Sequence, residues 1–126
     1  MPILAKVIPY LPKGESDWHD PNAGGDRIAY KKYSTRVLLE LNRFLKIMRT
    51  SLPKINRPTL LIHSDGDKTI APENMPLIYQ DLGTPEIDKE MIWLENSGHI
   101  VTKDLDQMKV FDSIFNFIQK IQDSSQ

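Results

Sequence analysis

The chain has 126 residues, 16 Lys and Arg against 17 Asp and Glu, a net charge of −1 and 40% hydrophobic residues. That composition is too apolar for a disordered chain, and too neutral for nucleic acid or an anionic membrane, both of which need a basic partner surface. Zero cysteines exclude a disulfide frame, a thiol nucleophile and a thiolate metal site, and fit a cytoplasmic location.

The length suits one domain. No apolar run reaches the ~18 residues that span a bilayer. Residues 1–14, broken by Pro2, Pro9 and Pro12 and lacking a small-residue cleavage site, do not read as a secretory signal. Up to about residue 33 the chain is irregular, with Pro21, Gly24 and Gly25 in a polar, turn-rich stretch. From Ser34 to about Arg49, Val37, Leu38, Leu41, Leu45 and Met48 follow a 3.6-residue period, with Arg36, Glu40, Arg43 and Lys46 between them. This predicts an amphipathic helix, capped by Ser34 or Thr35 and stopped by Pro53.

Thr59-Leu60-Leu61-Ile62-His63, closed by Ser64-Asp65-Gly66-Asp67, is a short apolar run without alternation. It predicts a strand buried on both faces, as in a parallel sheet. A second helix follows, with Pro72 near its first turn, Leu77, Ile78 and Leu82 on its apolar face and Gly83 as its stop. Residues 89–95 read as another strand, ended by Asn96-Ser97-Gly98. A third helix is expected from near Asp104, with Gln107 three residues on in the manner of a capping box. Its face is Met108, Phe111, Ile114, Phe115, Ile118 and Ile121. The order helix, strand, helix, strand, helix is that of α/β layering.

Two apolar strands are too few to shield three amphipathic helices, and their open edges invite association. The expectation is part of a larger sheet, completed by further residues or by a second copy.

Chemistry-bearing residues concentrate at the strand ends. His63 reads as a hydrogen-bonded structural histidine. His19 with Asp17, Asp20 and Asp26 makes an oxygen-rich loop whose spacing does not match a calcium loop. It reads as solvated, and neither metal nor cofactor is expected. His99 follows a predicted strand directly, where a loop at the carboxyl end of the sheet faces a crevice. Asp65 and Asp67 sit at the matching place after the preceding strand. An acid behind an imidazole fixes its tautomer and stabilises its positive charge, as a general base beside a hydroxyl requires. Spacing alone leaves open which acid serves, and whether these are two unrelated surface loops.

Asp67-Lys-Thr-Ile70-Ala-Pro72 after one buried strand, and Glu95-Asn96-Ser97-Gly98-His99 after the next, resemble the C-terminal end of an α/β-hydrolase. The similarity is to the carboxylesterase and monoacylglycerol-lipase-like serine hydrolases, and covers roughly residues 10 to 121. In that family the acid follows the seventh strand, with an aliphatic residue three places on and often Pro five places on, and the histidine follows the eighth strand within Ser-Gly-His. The resemblance therefore implies Asp67 as acid and His99 as base, with Asp65 a turn-former. It also makes residues 1–50 a cap-like segment and connecting helix, and residues 51–126 the core portion. Trp18, Tyr10, Tyr30 and Tyr33 fall in that first segment and read as packing groups.

The nucleophile elbow of the family needs Gly-x-Ser-x-Gly between a strand and a helix. Gly14-Glu15-Ser16-Asp17-Trp18 begins that way but places Trp18 at the second glycine, so Ser16 reads as a loop serine. No other segment fits, and no oxyanion segment is evident. The resemblance thus implies a portion of a serine ester hydrolase acting on acyl esters, with two triad members and no nucleophile of its own. The alternative is a non-catalytic relative that self-associates or binds a partner through its open sheet edge.

Overall fold

The computed structural model describes residues 8–14, 17–23, 25 and 30–124. Ser16 and Asp26 lie outside them, so neither the loop-serine reading nor the full acidic loop is met here. The elements in order are β1 (Tyr10–Pro12), β2 (Lys32–Ser34), α1 (Thr35–Ser51), β3 (Thr59–Ser64), α2 (Asn74–Asp81), β4 (Lys89–Leu94) and α3 (Gln107–Ser124). Short 3-10 turns at Leu52–Lys54 and Glu86–Asp88 follow α1 and precede β4.

β3 and β4 pair in parallel, with Thr59 opposite Lys89 and Ser64 opposite Leu94. Because the ladder is parallel, α2 serves as the crossover, and both strands end at the same edge. That edge carries the loops after Ser64 and Leu94, where the candidate acid and histidine lie. α2 packs on both strands, and α3 packs on β3.

The core is small. Leu52, Met75, Leu82, Leu94, Val110 and Phe117 are its buried apolar members. In α2 the buried residue is Met75, while Leu77, expected inside, is exposed. α3 turns Val110 and Phe117 inward and leaves Met108, Phe111, Phe115 and Ile118 of its expected face exposed. Val37, Leu41 and Leu45 of α1 are likewise uncovered. The reason is width. Two strands ~4.8 Å apart offer a surface hardly broader than one helix of about 10 Å diameter. A third helix has nothing to lie on.

The N-terminal stretch holds more order than its composition suggests. β1 and β2 form an antiparallel pair, Leu11 opposite Tyr33. The Thr35 amide, 3.0 Å from Pro9 O, and the Thr35 hydroxyl, which donates to Ile8 O, tie the start of α1 to β1. Of the aromatics read as packing groups, Tyr10 and Tyr33 are exposed and Tyr30 is 87% exposed, while Trp18 is half-buried. Lys13 Nζ sits 4.5 Å from the centre of the Tyr33 ring.

Candidate functional site

Both loops at the carboxyl edge are bent by side chain to backbone hydrogen bonds. At the end of β3, the buried Ser64 hydroxyl donates to Ser97 O across the sheet and accepts from the Gly66 amide at 3.2 Å. Ser64, the last residue of the strand, thereby fastens the acid loop to the histidine loop. Asp67 then curls the chain back on itself. Its Oδ1 accepts from the amides of Thr69 (2.8 Å) and Ile70 (2.9 Å), a short-range turn that aspartate favours.

The other carboxylate oxygen, Oδ2, lies 2.9 Å from His99 Nδ1. Asp67 and His99 thus come together although they stand on different loops, and the Asp67 side chain is only 4% exposed while that of His99 is 38% exposed. Burial by itself raises the Asp67 carboxyl. The His99 hydrogen bond and the Ile70 and Thr69 amides outweigh it and hold the group below the ordinary aspartate value. An ionised acid accepts, so Nδ1 is the donor and carries the proton. Nε2 is then the ring nitrogen left for proton transfer at the open side. Asp65, the other acid considered, is exposed and donates its backbone amide to Leu94 O.

His63, expected as a hydrogen-bonded structural histidine, meets the same acid, a partner the sequence did not name. His63 Nε2 is 3.2 Å from the same Asp67 Oδ2 and 3.3 Å from Ile70 O. Both neighbours are acceptors, so His63 carries its proton on Nε2 and donates it towards the Asp67 carboxylate and Ile70 O. It also meets Trp93 edge-on, with ring centres 6.3 Å apart. The helical-like offset of four residues from Asp67 was the available signal, but it is ambiguous at the end of a strand.

Three further carboxylates shape the histidine loop. Asp106 Oδ2 accepts from the Asn96 amide (2.8 Å) and from the Ser97 hydroxyl (3.1 Å). Asp104 Oδ2 accepts from the Gly98 amide (2.9 Å) and the His19 amide (3.0 Å), and its Oδ1 from the Asp20 and Leu105 amides. Burial raises both acids, and these donors more than reverse it. Asp104 therefore does not cap α3 in the expected way, and the helix begins at Gln107. Asp17 Oδ2 accepts from the Lys68 and His99 amides. With Asp20 Oδ1 taken by the Asn22 amide, Asp17 and Asp20, the described acids of this stretch, serve backbone amides.

A groove of about 470 Å³ opens between α1 and α2, lined by Leu45, Met48, Leu52, Leu77, Ile78 and Ile70. It touches the acid loop through Ile70 and does not reach Asp67 or His99.

The chain matches the prolyl oligopeptidase family over residues 14–125. It is 33% identical over 111 residues to a thermostable monoacylglycerol lipase of Bacillus sp. (strain H-257), covering 88% of this chain and 43% of that protein. To a carboxylesterase of Bacillus subtilis (strain 168) it is 27% identical over 92 residues, 73% of this chain and 37% of that one. A solved structure from work on LipS and LipT, two metagenome-derived lipolytic enzymes, superposes with a TM-score of 0.79 at 30% identity, over 90% of this chain and 44% of that one. The chain thus spans about two fifths of the length of these relatives. A family match running over nearly all its residues, on a parallel strand pair with flanking helices, means that the chain belongs to the prolyl oligopeptidase family and is a C-terminal portion of an α/β-hydrolase.

Proposed function

We propose that this chain supplies the acid and base of a serine ester hydrolase of the carboxylesterase or lipase type. The observation that carries the reading is the 2.9 Å contact between His99 Nδ1 and the buried Asp67 carboxylate. In the reaction, a serine hydroxyl attacks the carbonyl carbon of an acyl ester while His99 Nε2 takes the hydroxyl proton. The tetrahedral intermediate collapses, the C–O bond to the leaving alcohol breaks, and the same proton passes from Nε2 to that alcohol. Water then repeats the sequence on the acyl-enzyme. Asp67 keeps the ring oriented and balances its transient positive charge. The family also takes its name from a peptidase, and the same pair would serve an amide. The lipase and carboxylesterase relatives favour esters.

No Gly-x-Ser-x-Gly occurs in these residues, so the hydroxyl and the oxyanion donors come from elsewhere, and the chain alone does not hydrolyse esters. Residues 1–50 form a cap-like segment and connecting helix beside a core portion of residues 51–126, in a cytoplasmic protein. No helix among the described residues is long and apolar enough to cross a membrane.

The test is the tautomer of His99, read from the two ring nitrogens by 15N NMR in the neutral state. The Nδ1–H form is expected, reverting to the ordinary Nε2–H form in Asp67→Asn. An Nε2–H ring in the unaltered chain would sink the proposal.

The exposed apolar faces of α1 and α3 support a second reading, a non-catalytic relative that pairs with itself or a partner along the open sheet edge. Sedimentation velocity separates the two for self-pairing. Stable dimers at micromolar concentration, dispersed by a proline in β3 or β4, favour the second reading. A monodisperse monomer counts against self-pairing.

A further inference from the structure

The segment 17–20 lies far from the strand ends in sequence yet is bound to both catalytic loops. One oxygen of Asp17, Oδ2, accepts from the amide of Lys68 at 2.9 Å and from the amide of His99 at 3.1 Å. Lys68 directly follows Asp67, so a single atom grips the backbone beside the acid and the backbone of the base itself. Two glycines make the seat for this segment. A Cβ on Gly98 would collide with Asp17 O. One on Gly66 would lie 3.2 Å from the His19 ring and 3.1 Å from Ser97 O. Asp104 completes the attachment, joining the amides of His19 and Asp20 to that of Gly98.

We infer that Asp17 is a positioning residue, the pin of a clasp that holds the acid and histidine loops at hydrogen-bonding separation. This deepens the assignment of Asp67 and His99 as acid and base and rests on it. The physical argument is one of precision. The Ser64 hydroxyl and the Asp65 amide join the two loops at the strand ends, and Asp104 and Asp106 hold the histidine loop over residues 96–98. Lys68 and His99 lie past those points, and a shift of about 1 Å there is enough to lose an imidazole–carboxylate bond or its catalytic effect. A charged acceptor shared by two amides is stronger than a neutral one and fixes their separation. An apolar residue at position 17 would leave both amides without this partner.

The experiment compares the unaltered chain with Asp17→Ala, Asp17→Asn and Asp67→Asn. It follows two independent signals by NMR: hydrogen exchange at the Lys68 and His99 amides, and the low-field Nδ1–H proton of His99. In the unaltered chain both amides are expected to be protected. In Asp17→Ala both should exchange at least about tenfold faster, and the Nδ1–H proton should exchange with water more rapidly, while the β3–β4 amides stay protected. Asp17→Asn, which keeps one acceptor oxygen, should fall between. It carries the comparison if the alanine variant does not fold, and an asparagine variant identical to the unaltered chain at all three protons then overturns the proposal.

Freely exchanging Lys68 and His99 amides in the unaltered chain overturn the clasp whatever the imidazole does. Release of the two amides with no change at Nδ1–H reduces Asp17 to a strap and overturns its positioning role. Protected amides with no Nδ1–H proton that depends on Asp67 support the clasp and instead defeat the acid–base assignment beneath it.

Discussion

At the scale of single residues, the site is a set of carboxylates satisfied by amides. Asp67, Asp104 and Asp106 are each drawn below the ordinary aspartate value, because their donors outweigh the burial that opposes them. An acid depressed in the folded chain contributes stability that is complete above its unfolded value near ~3.9 and is lost as pH falls through the lower folded value. Thermal stability should therefore be level with respect to these groups above about pH 5 and decline below about pH 4. Asp104→Asn should lower the neutral-pH melting temperature and flatten the acid limb. An equally steep acid limb in that variant would show that Asp104 takes no part.

That Asp67 and His99 share one sheet edge was legible in the sequence, because each follows one strand of a parallel pair, whereas the choice of Asp67 over Asp65 rested on the family resemblance. The carboxylate supports of the pair were not legible. Asp17 and Asp104 bind backbone amides, which every residue but proline carries, so no side-chain pattern at position 19, 68 or 99 announces the partner. Ser64 was hidden for the same reason. It reads as a turn residue, and only the parallel register places its hydroxyl on Ser97 O.

At the scale of elements, periodicity and turn signals found the three helices, and short apolar runs found both strands of the parallel pair, with differences of up to about three residues at their ends. α1 begins at Thr35 and β4 closes at Leu94, each within two residues of the pattern. The paired stretches β1 and β2 escaped notice because three residues each, one of them Pro12, are too few to show alternation. The apolar stripes stand mostly exposed where the pattern was strongest, in keeping with two strands too few to shield three amphipathic helices. An amphipathic stripe records the surface a helix is built to meet, and α1 and α3 have most of theirs uncovered.

Stability should then depend on few residues. Leu94, fully buried at the end of β4, should cost about 2–5 kcal/mol when cut to alanine. Val37→Ala, on the exposed stripe of α1, should change stability by no more than about 0.5 kcal/mol. Urea denaturation of the two variants measures both. Comparable losses would mean that α1 is covered in solution.

At the scale of the whole molecule, the chain sets Asp67 against His99 at one edge of a two-stranded parallel sheet. It spans 43% of the Bacillus monoacylglycerol lipase it resembles, and α1 and α3 leave most of their apolar faces uncovered. The most direct measurement is ester hydrolysis by a chimaera in which this chain replaces the matching 111-residue stretch of that lipase. The chimaera should hydrolyse p-nitrophenyl esters, and His99→Ala within it should lower the rate by roughly 10³-fold or more. A folded chimaera that is inactive, or one whose rate is indifferent to His99→Ala, would contradict the assignment.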